Sequence, residues 1–354
     1  MNPTLQTVAD AVGVSRSTVS NAYSRPDQLS PQLREKIFEA ARQLGYSGPN
    51  PAARSLRKGR AGAIGVVFSD TLSYAFTDPY AVQYLRGLAQ TAELHESGLL
   101  LMPVSKDGEA SSATVNNAVV DGFCIYCLPD WHPSFHAIQA RGLPIVSTEL
   151  RDQGSAETSF VGIDEAAATR AAGRHLTALG HRRVALIADW IIPERETRLV
   201  TVSDAGELPY YTTRERLRGY REALGEVGVG WPQIQTVNAA QNSREAGADA
   251  AGHVLDHAPR PTAIMAVTDL LALGVLDALA ARGLRPGRDV SVIGFDDIPD
   301  AAAARLTTIS QPALEKGRLA GTLLLDPPAD PAERRIVLPT RLRVRASTGP
   351  APDQ

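Results

Sequence analysis

The chain has 354 residues, 44% hydrophobic and 21% charged, a balance that excludes disorder for the bulk and predicts two or three domains. No stretch reaches the ~20 uninterrupted apolar residues of a membrane span and no secretory signal opens the chain, so the expected location is the cytoplasm. The formal net charge of -3 divides unevenly: residues 1 to 60 hold nine basic and four acidic side chains, a balance of +5, leaving -8 on the remainder, the pattern of a nucleic-acid binder joined to a sensing or enzymatic body.

In chain order, Leu5, Val8, Ala9 and Val12 recur at helical spacing up to Gly13. Ser15 then opens a second helix with Val14, Thr18, Val19 and Ala22 on its inner side. The small Ala9, the turn at Gly13 and Val19 have the spacing of a helix-turn-helix. Ser30 as N-cap, Pro31 in the first turn and a stripe of Leu33, Ile37, Ala40, Ala41 and Leu44 before Gly45 predict a third helix. The second helix of such a motif enters the major groove. Arg16 and Ser17 at its start and Asn21 one turn on are the base-reading candidates, Arg suiting guanine and Asn adenine. Ser15, Thr18, Ser20, Tyr23 and Ser30 read as phosphate contacts or caps. Asn50-Pro51-Ala52-Ala53-Arg54-Ser55-Leu56 predicts a helix too short to be stable alone.

From Leu5-Gln6-Thr7-Val8-Ala9 through Val14-Ser15-Arg16-Ser17-Thr18-Val19-Ser20 and Leu44-Gly45-Tyr46 to Leu56, this segment closely resembles the lactose-repressor (LacI/GalR) family. The resemblance implies a hinge helix that folds as a pair on operator DNA and drives Leu56 into the minor groove, with further DNA contacts at Thr4, Leu5, Asn50 and Ala53. Unstacking one base step costs a few kcal/mol, which the bend recovers through added contacts. One departure is an extra residue in Ser47-Gly48-Pro49-Asn50.

Beyond residue 60, the runs Ala63-Phe68, Gly98-Val104, Gly122-Leu128, Pro144-Thr148, Arg183-Ala188, Ala263-Val267 and Val290-Phe295 read as strands. Helical patterns such as Val82, Leu85, Leu88, Ala89, Ala92 alternate with them. The alternation implies an α/β body of two doubly wound parallel-sheet subdomains, with a ligand cleft at the carboxyl ends of the strands. Ile64-Gly65-Val66, Val292-Ile293-Gly294-Phe295-Asp296-Asp297 and Leu306-Thr307-Thr308-Ile309-Ser310-Gln311-Pro312 extend the family resemblance over nearly the whole chain, implying a periplasmic-binding-protein-like body. The expected organisation is a headpiece at 1-47, a hinge at 48-60, a body at 61-345 and a flexible tail at 346-354. Within the body, the resemblance implies a first subdomain of about 61-163 and 313-327. The second spans about 164-312 and 335-345, including a strand around Arg335 to Arg341.

Asp296, following a strand, and Arg216, opening Arg216-Leu217-Arg218-Gly219-Tyr220, match ligand-contacting positions of the family. Phe76, Asp78, Tyr126, Glu149, Thr212, Asn242, Thr268 and Gln311 are the further candidates. Carboxylates facing hydroxyls suit a sugar or nucleoside, and Phe76 and Tyr126 offer stacking faces. The stretch from Asp189 to Tyr211 is longer than is usual for the family. Cys124 and Cys127 have redox-pair spacing but fall in a predicted buried strand, where core packing is expected. No dinucleotide, phosphate-loop, metalloprotease or hydrolase motif occurs, so no enzyme, cofactor or metal is expected. The reading is a homodimeric repressor of pseudo-palindromic double-stranded operator DNA, controlled by a small-molecule effector and without a membrane partner. The rivals are control by a protein partner, or a solute receptor, which would need an export signal and no headpiece.

Overall fold

The structure, a computed structural model, describes residues 3–48, 60–68, 71–104, 112–129, 131–149, 158–203, 206 and 208–352. The chain divides into two compact units, Met1–Gly62 and Ala63–Gln354. No helix among the described residues is long and apolar enough to cross a membrane.

The first unit holds α1 (Leu5–Val12), α2 (Arg16–Ser24) and α3 (Pro31–Leu44). Helices this short are marginal in water, so their ends are capped. Thr4 and Thr7 cap each other reciprocally, and the Ser15 and Ser30 hydroxyls accept from the Thr18 and Leu33 amides. Each such cap contributes about 1 kcal/mol. Gly13 and Gly45 close α1 and α3 in the left-handed region, at φ 76° and 69°. Val8, Ala9, Val19, Ala22, Ile37 and Ala41 form the core. Two expectations change here. Leu44, the last residue of α3 beside left-handed Gly45, is exposed. Tyr23 is a packing residue, its ring set edge-on to Phe38 and Tyr46, and burial raises the pKa of its hydroxyl.

The second unit contains, among the described residues, strands β1 (Ala63–Phe68), β2 (Gly98–Pro103), β3 (Gly122–Tyr126), β4 (Ile145–Ser147), β5 (Thr158–Gly162), β6 (Val184–Asp189), β7 (Arg198–Val200), β8 (Gln235–Ala239), β9 (Ala263–Ala266), β10 (Ser291–Asp296), β11 (Thr307–Ser310), β12 (Arg335–Val337) and β13 (Arg341–Arg343). The helices that continue the chain are α4 (Tyr74–Thr77), α5 (Pro79–Leu94), α6 (Ser112–Asn117), α7 (Pro133–Ala140), α8 (Glu165–Ala178), α9 (Tyr211–Gly225), α10 (Arg244–Leu255), α11 (Asp269–Ala281), α12 (Pro299–Ala303) and α13 (Ala313–Leu325). Two sheets result, ordered β12-β5-β4-β3-β1-β2 and β13-β11-β10-β9-β6-β8-β7. The first is parallel throughout. The second is parallel except at its edges, where β7 runs antiparallel to β8 and β13 to β11. Central strands such as β1 and β6 are buried along almost their whole length, as sheets covered on both faces require.

Two expectations about the C-terminal part are corrected. The strand foreseen around Arg335 to Arg341 in the second subdomain is two strands: β12 pairs with β5 in the first sheet and β13 with β11 in the second. Pro339, with no N–H to donate, lies between them, so the ladder cannot continue across the break. The tail foreseen as flexible from residue 346 is packed as far as Ala351. Ser347 is buried, its hydroxyl accepts from the Thr307 amide and donates to the Val292 carbonyl, and the Ala351 amide donates to Leu179. His181, fully buried, meets Thr262 with Nδ1 and the Gly349 carbonyl with Nε2, each at 3.0 Å. Its Gly and Pro content resembles disorder, yet the backbone and hydroxyls of this segment find partners on β10 and β11.

Candidate functional site

On α2 the exposed N-terminal turn carries Arg16 and Ser17, with Asn21 half-buried one turn on. Ser15 Oγ lies 2.7 Å from both Ser17 Oγ and Thr18 Oγ1, a hydroxyl cluster over the start of the helix. Thr4 and Ser30 are exposed caps, Thr18 and Ser20 are half-buried, and Leu5 packs against the headpiece core. Asn50, Ala53 and Leu56 lie outside the described residues.

In the second unit, segments following the strands of both sheets enclose a cavity of about 120 Å³. Asp78, Tyr126, Glu149, Thr212, Arg216, Asn242, Thr268 and Asp296, all candidates from sequence, line it. Phe76 does not: it is 62% exposed, and Tyr74, two residues earlier on the single-turn helix α4, takes the place at the cavity wall. Gln311 stands behind the wall. Its Nε2 donates to Asp296 Oδ1 at 2.6 Å, while its Oε1 accepts from the Tyr80 hydroxyl at 2.9 Å and Lys316 Nζ at 3.1 Å. Cys124 packs in the core as expected. Cys127 does not share its strand, because β3 ends at Tyr126 and Cys127, at φ 53°, lines the cavity.

Hydrogen bonds link the two sides. Thr212 donates to Glu149 Oε1 at 3.2 Å, and Asn242 Nδ2 donates to the Tyr74 hydroxyl at 2.8 Å. Tyr74 in turn donates to Asp78, and Thr268 to Asn242. Arg216, on α9, donates through Nε to Glu165 Oε2 at 2.8 Å and through Nη1 to the Val267 carbonyl. Its guanidinium carbon stands 3.7 Å from the centre of the Phe295 ring, and Asp296 Oδ1 lies 4.0 Å from Nη2. Asp296 and Asp297 leave β10 at φ 118° and 58°, conformations that L side chains rarely adopt and that gather at binding sites.

Acidic groups outnumber basic ones along the wall: Asp78, Glu149, Glu165, Asp189 and Asp296 against Arg216 and Lys316. Burial pushes Glu149 up to about 7, raises Asp78, and raises Asp296 well above the carboxylate range despite the opposing pull of Arg216. Burial also lowers Lys316. It opposes the charge of Arg216 as well, but Glu165 and Asp296 outweigh it and hold the guanidinium firmly protonated. Glu165, Lys316, Asp189, Trp190 and Tyr210 were not among the sequence candidates. A Glu in the first turn of a helix and a Lys on an amphipathic helix both read as ordinary surface residues.

Residues 4–50 match the family model of bacterial regulatory proteins of the lacI family, and residues 174–348 match that of the periplasmic binding protein-like domain. The HTH-type transcriptional regulator Rv3575c of Mycobacterium tuberculosis is 39% identical over 349 residues, covering 98% of this chain and 97% of that protein. The chain belongs to the lacI family. As a member it is a DNA-binding transcriptional regulator and not an enzyme. Among solved structures, the lac repressor dimer bound to operator and the anti-inducer ONPF matches with a TM-score of 0.75 at 26% identity, covering 98% of this chain and 99% of that one. The complex of the transcriptional regulator CelR with cellobiose matches with a TM-score of 0.66 at 29% identity, again covering 98% and 99%.

Proposed function

We propose that this lacI-family regulator is a repressor that grips the two halves of a pseudo-palindromic operator as a homodimer and is controlled by a neutral sugar in the cavity. The observation that carries the ligand class is the wall: five carboxyl groups, three of them held towards the neutral form by burial, and only two cations line a site rich in hydrogen-bonding partners for hydroxyls and short of positive charge for a phosphate. A sugar supplies many hydroxyls without charge, and CelR, a structural relative, is known with cellobiose bound. On the DNA side, Arg16, Ser17 and Asn21 read bases, while Thr4, Leu5, Ser15, Thr18, Ser20 and Ser30 position the module, and Asn50, Ala53 and Leu56 act in the hinge. Because both sides of the cavity contribute to it, a ligand that alters their spacing shifts operator affinity by about 5–150-fold.

The test is operator binding by the full-length protein with and without neutral sugars, run beside thermal unfolding with the same compounds. A sugar that raises the midpoint and changes operator affinity supports the reading. Stabilisation by nucleosides alone would move the ligand class, and the absence of any small-molecule effect would favour control by a protein partner.

A further inference from the structure

Outside the carboxylate end of the cavity stands an aromatic file that the ligand reading leaves unused. Trp190, the first residue after β6, and Tyr210, the residue before α9, both line the cavity. Their ring centres are 4.9 Å apart with planes at 53°. Trp131, which follows β3 of the other sheet, stands 6.2 Å from Tyr210 at 75°, is half exposed and does not line the cavity. The file therefore runs from the cavity wall outward to solvent. At the other end, the Arg216, Glu165 and Asp296 side chains are only 7 to 8% exposed.

The segment that carries Trp190 is built rather than loose. Asn238 on β8 accepts from the Ile191 and Ile192 amides and donates to the Glu196 carbonyl, the Thr197 hydroxyl accepts from the Ala240 amide, and β7 pairs with β8. Trp190 itself is held at φ 60°, a conformation costly for a bulky residue and retained only where the surroundings impose it. The Arg195 guanidinium stands 5.8 Å from the centre of the Trp190 ring.

We infer that Trp190, Tyr210 and Trp131 form an outer stacking subsite, so that the preferred effector is a saccharide of two or more rings. One ring is held by the carboxylates and the next lies on the aromatic file. The apolar face of a pyranose covers an aromatic ring while its hydroxyls stay in water or reach the neighbouring Asp189. The three rings are tilted or perpendicular to one another, which does not make the parallel slot that a flat base would enter. A saccharide bends at its glycosidic bond and can follow such a file. This inference rests on the neutral-sugar reading above.

Two of the three tryptophans of the chain belong to the subsite, and the third, Trp231, has a buried indole N–H without a hydrogen-bond partner among the described residues. Trp231→Phe thus leaves an emission that reports the file alone. In that background, cellobiose, maltose, lactose and trehalose are each titrated beside glucose and galactose, by fluorescence and calorimetry. The expected result is one disaccharide binding at least about tenfold more tightly than its own component sugars, with an emission shift that they do not produce. Trp190→Ala should weaken that disaccharide by about tenfold or more and the monosaccharides far less, and Trp190→Phe should restore most of the difference. Equal affinities for mono- and disaccharide, both unmoved by Trp190→Ala, would overturn the subsite and leave the sugar reading standing. Binding of none of these sugars by folded protein would overturn both.

Discussion

Glu149 shows what a single buried group adds to the behaviour of the whole. Its side chain is buried at the cavity wall, accepts a hydrogen bond from the Thr212 hydroxyl, and is pushed by burial from 4.5 up to about 7. Between those values the folded chain keeps a proton that the unfolded chain has released. The stability that this proton represents is present below about pH 4.5 and is lost as pH rises through 7. Glu149→Gln keeps an acceptor for Thr212 and cannot ionise. Its unfolding midpoint should exceed that of the parent at pH 8, and the gap should close towards pH 5. Asp269, also raised to about 7 by burial, leaves a residual slope in the variant. Superimposable midpoint-against-pH curves for parent and variant would show that Glu149 is charged and compensated in the fold. At this scale the sequence was legible where a residue sat next to a recognisable motif, as Asp296 and Arg216 do. It was opaque where the side chain comes from a helix start or an amphipathic face, as with Glu165 and Lys316, because nothing in the local pattern says which way the element will turn. Phe76 and Tyr74 differ for the same reason: two positions on one helical turn face different surroundings.

Elements were legible in proportion to their apolar character. Strands β1, β6 and β10 stand out as near-continuous apolar runs, whereas β5, β8 and β11 carry Thr, Ser, Gln and Asn and present no such run. Several of their polar side chains are satisfied internally. Thr308 on β11 donates to Asp269 and Thr307 to the Arg345 carbonyl, while Asn238 on β8 serves the segment after Trp190. Polarity that is consumed by partners cannot be told from polarity that faces water in a sequence alone. The pairing of α5 with α13, distant in the chain, is likewise invisible locally but has a definite cause. A Cβ on Gly317 would meet the Tyr84 carbonyl oxygen at 2.0 Å, and one on Gly87 would meet that of Leu314 at 2.0 Å, so both helices approach backbone to backbone. Gly317→Ala should therefore destabilise the body by about 1–3 kcal/mol through overpacking. Gly225→Ala, at the end of α9 with no atom within 4 Å of the added carbon, is the control expected to be neutral or slightly stabilising. Equal denaturant midpoints for the two variants would mean that the α5 and α13 backbones separate more easily than their packing indicates.

For the whole molecule, the division of charge is the feature that links composition to function. Residues 1 to 60 carry a balance of +5 and the remainder -8, so attraction to phosphate is confined to the small helical unit and the acidic body works against nonspecific adhesion to DNA. In the proposed dimer, two headpieces making about 6–10 phosphate contacts release a similar number of counterions, and operator affinity should then fall by about 10³–10⁵ between 50 and 200 mM salt. The cavity lies in the other unit and, in the reading above, the sugar touches no phosphate. Its effect is a coupling free energy added to the counterion term, so a saturating sugar should displace the plot of log affinity against log salt in parallel, leaving the slope as it was. Affinity measured by fluorescence anisotropy over that salt range, with and without sugar, separates the two terms. A slope that collapses when the sugar binds would mean that the effector removes phosphate contacts themselves rather than weakening a pose that keeps them. A slope near zero in both states would remove the basic unit from the role its charge assigns to it.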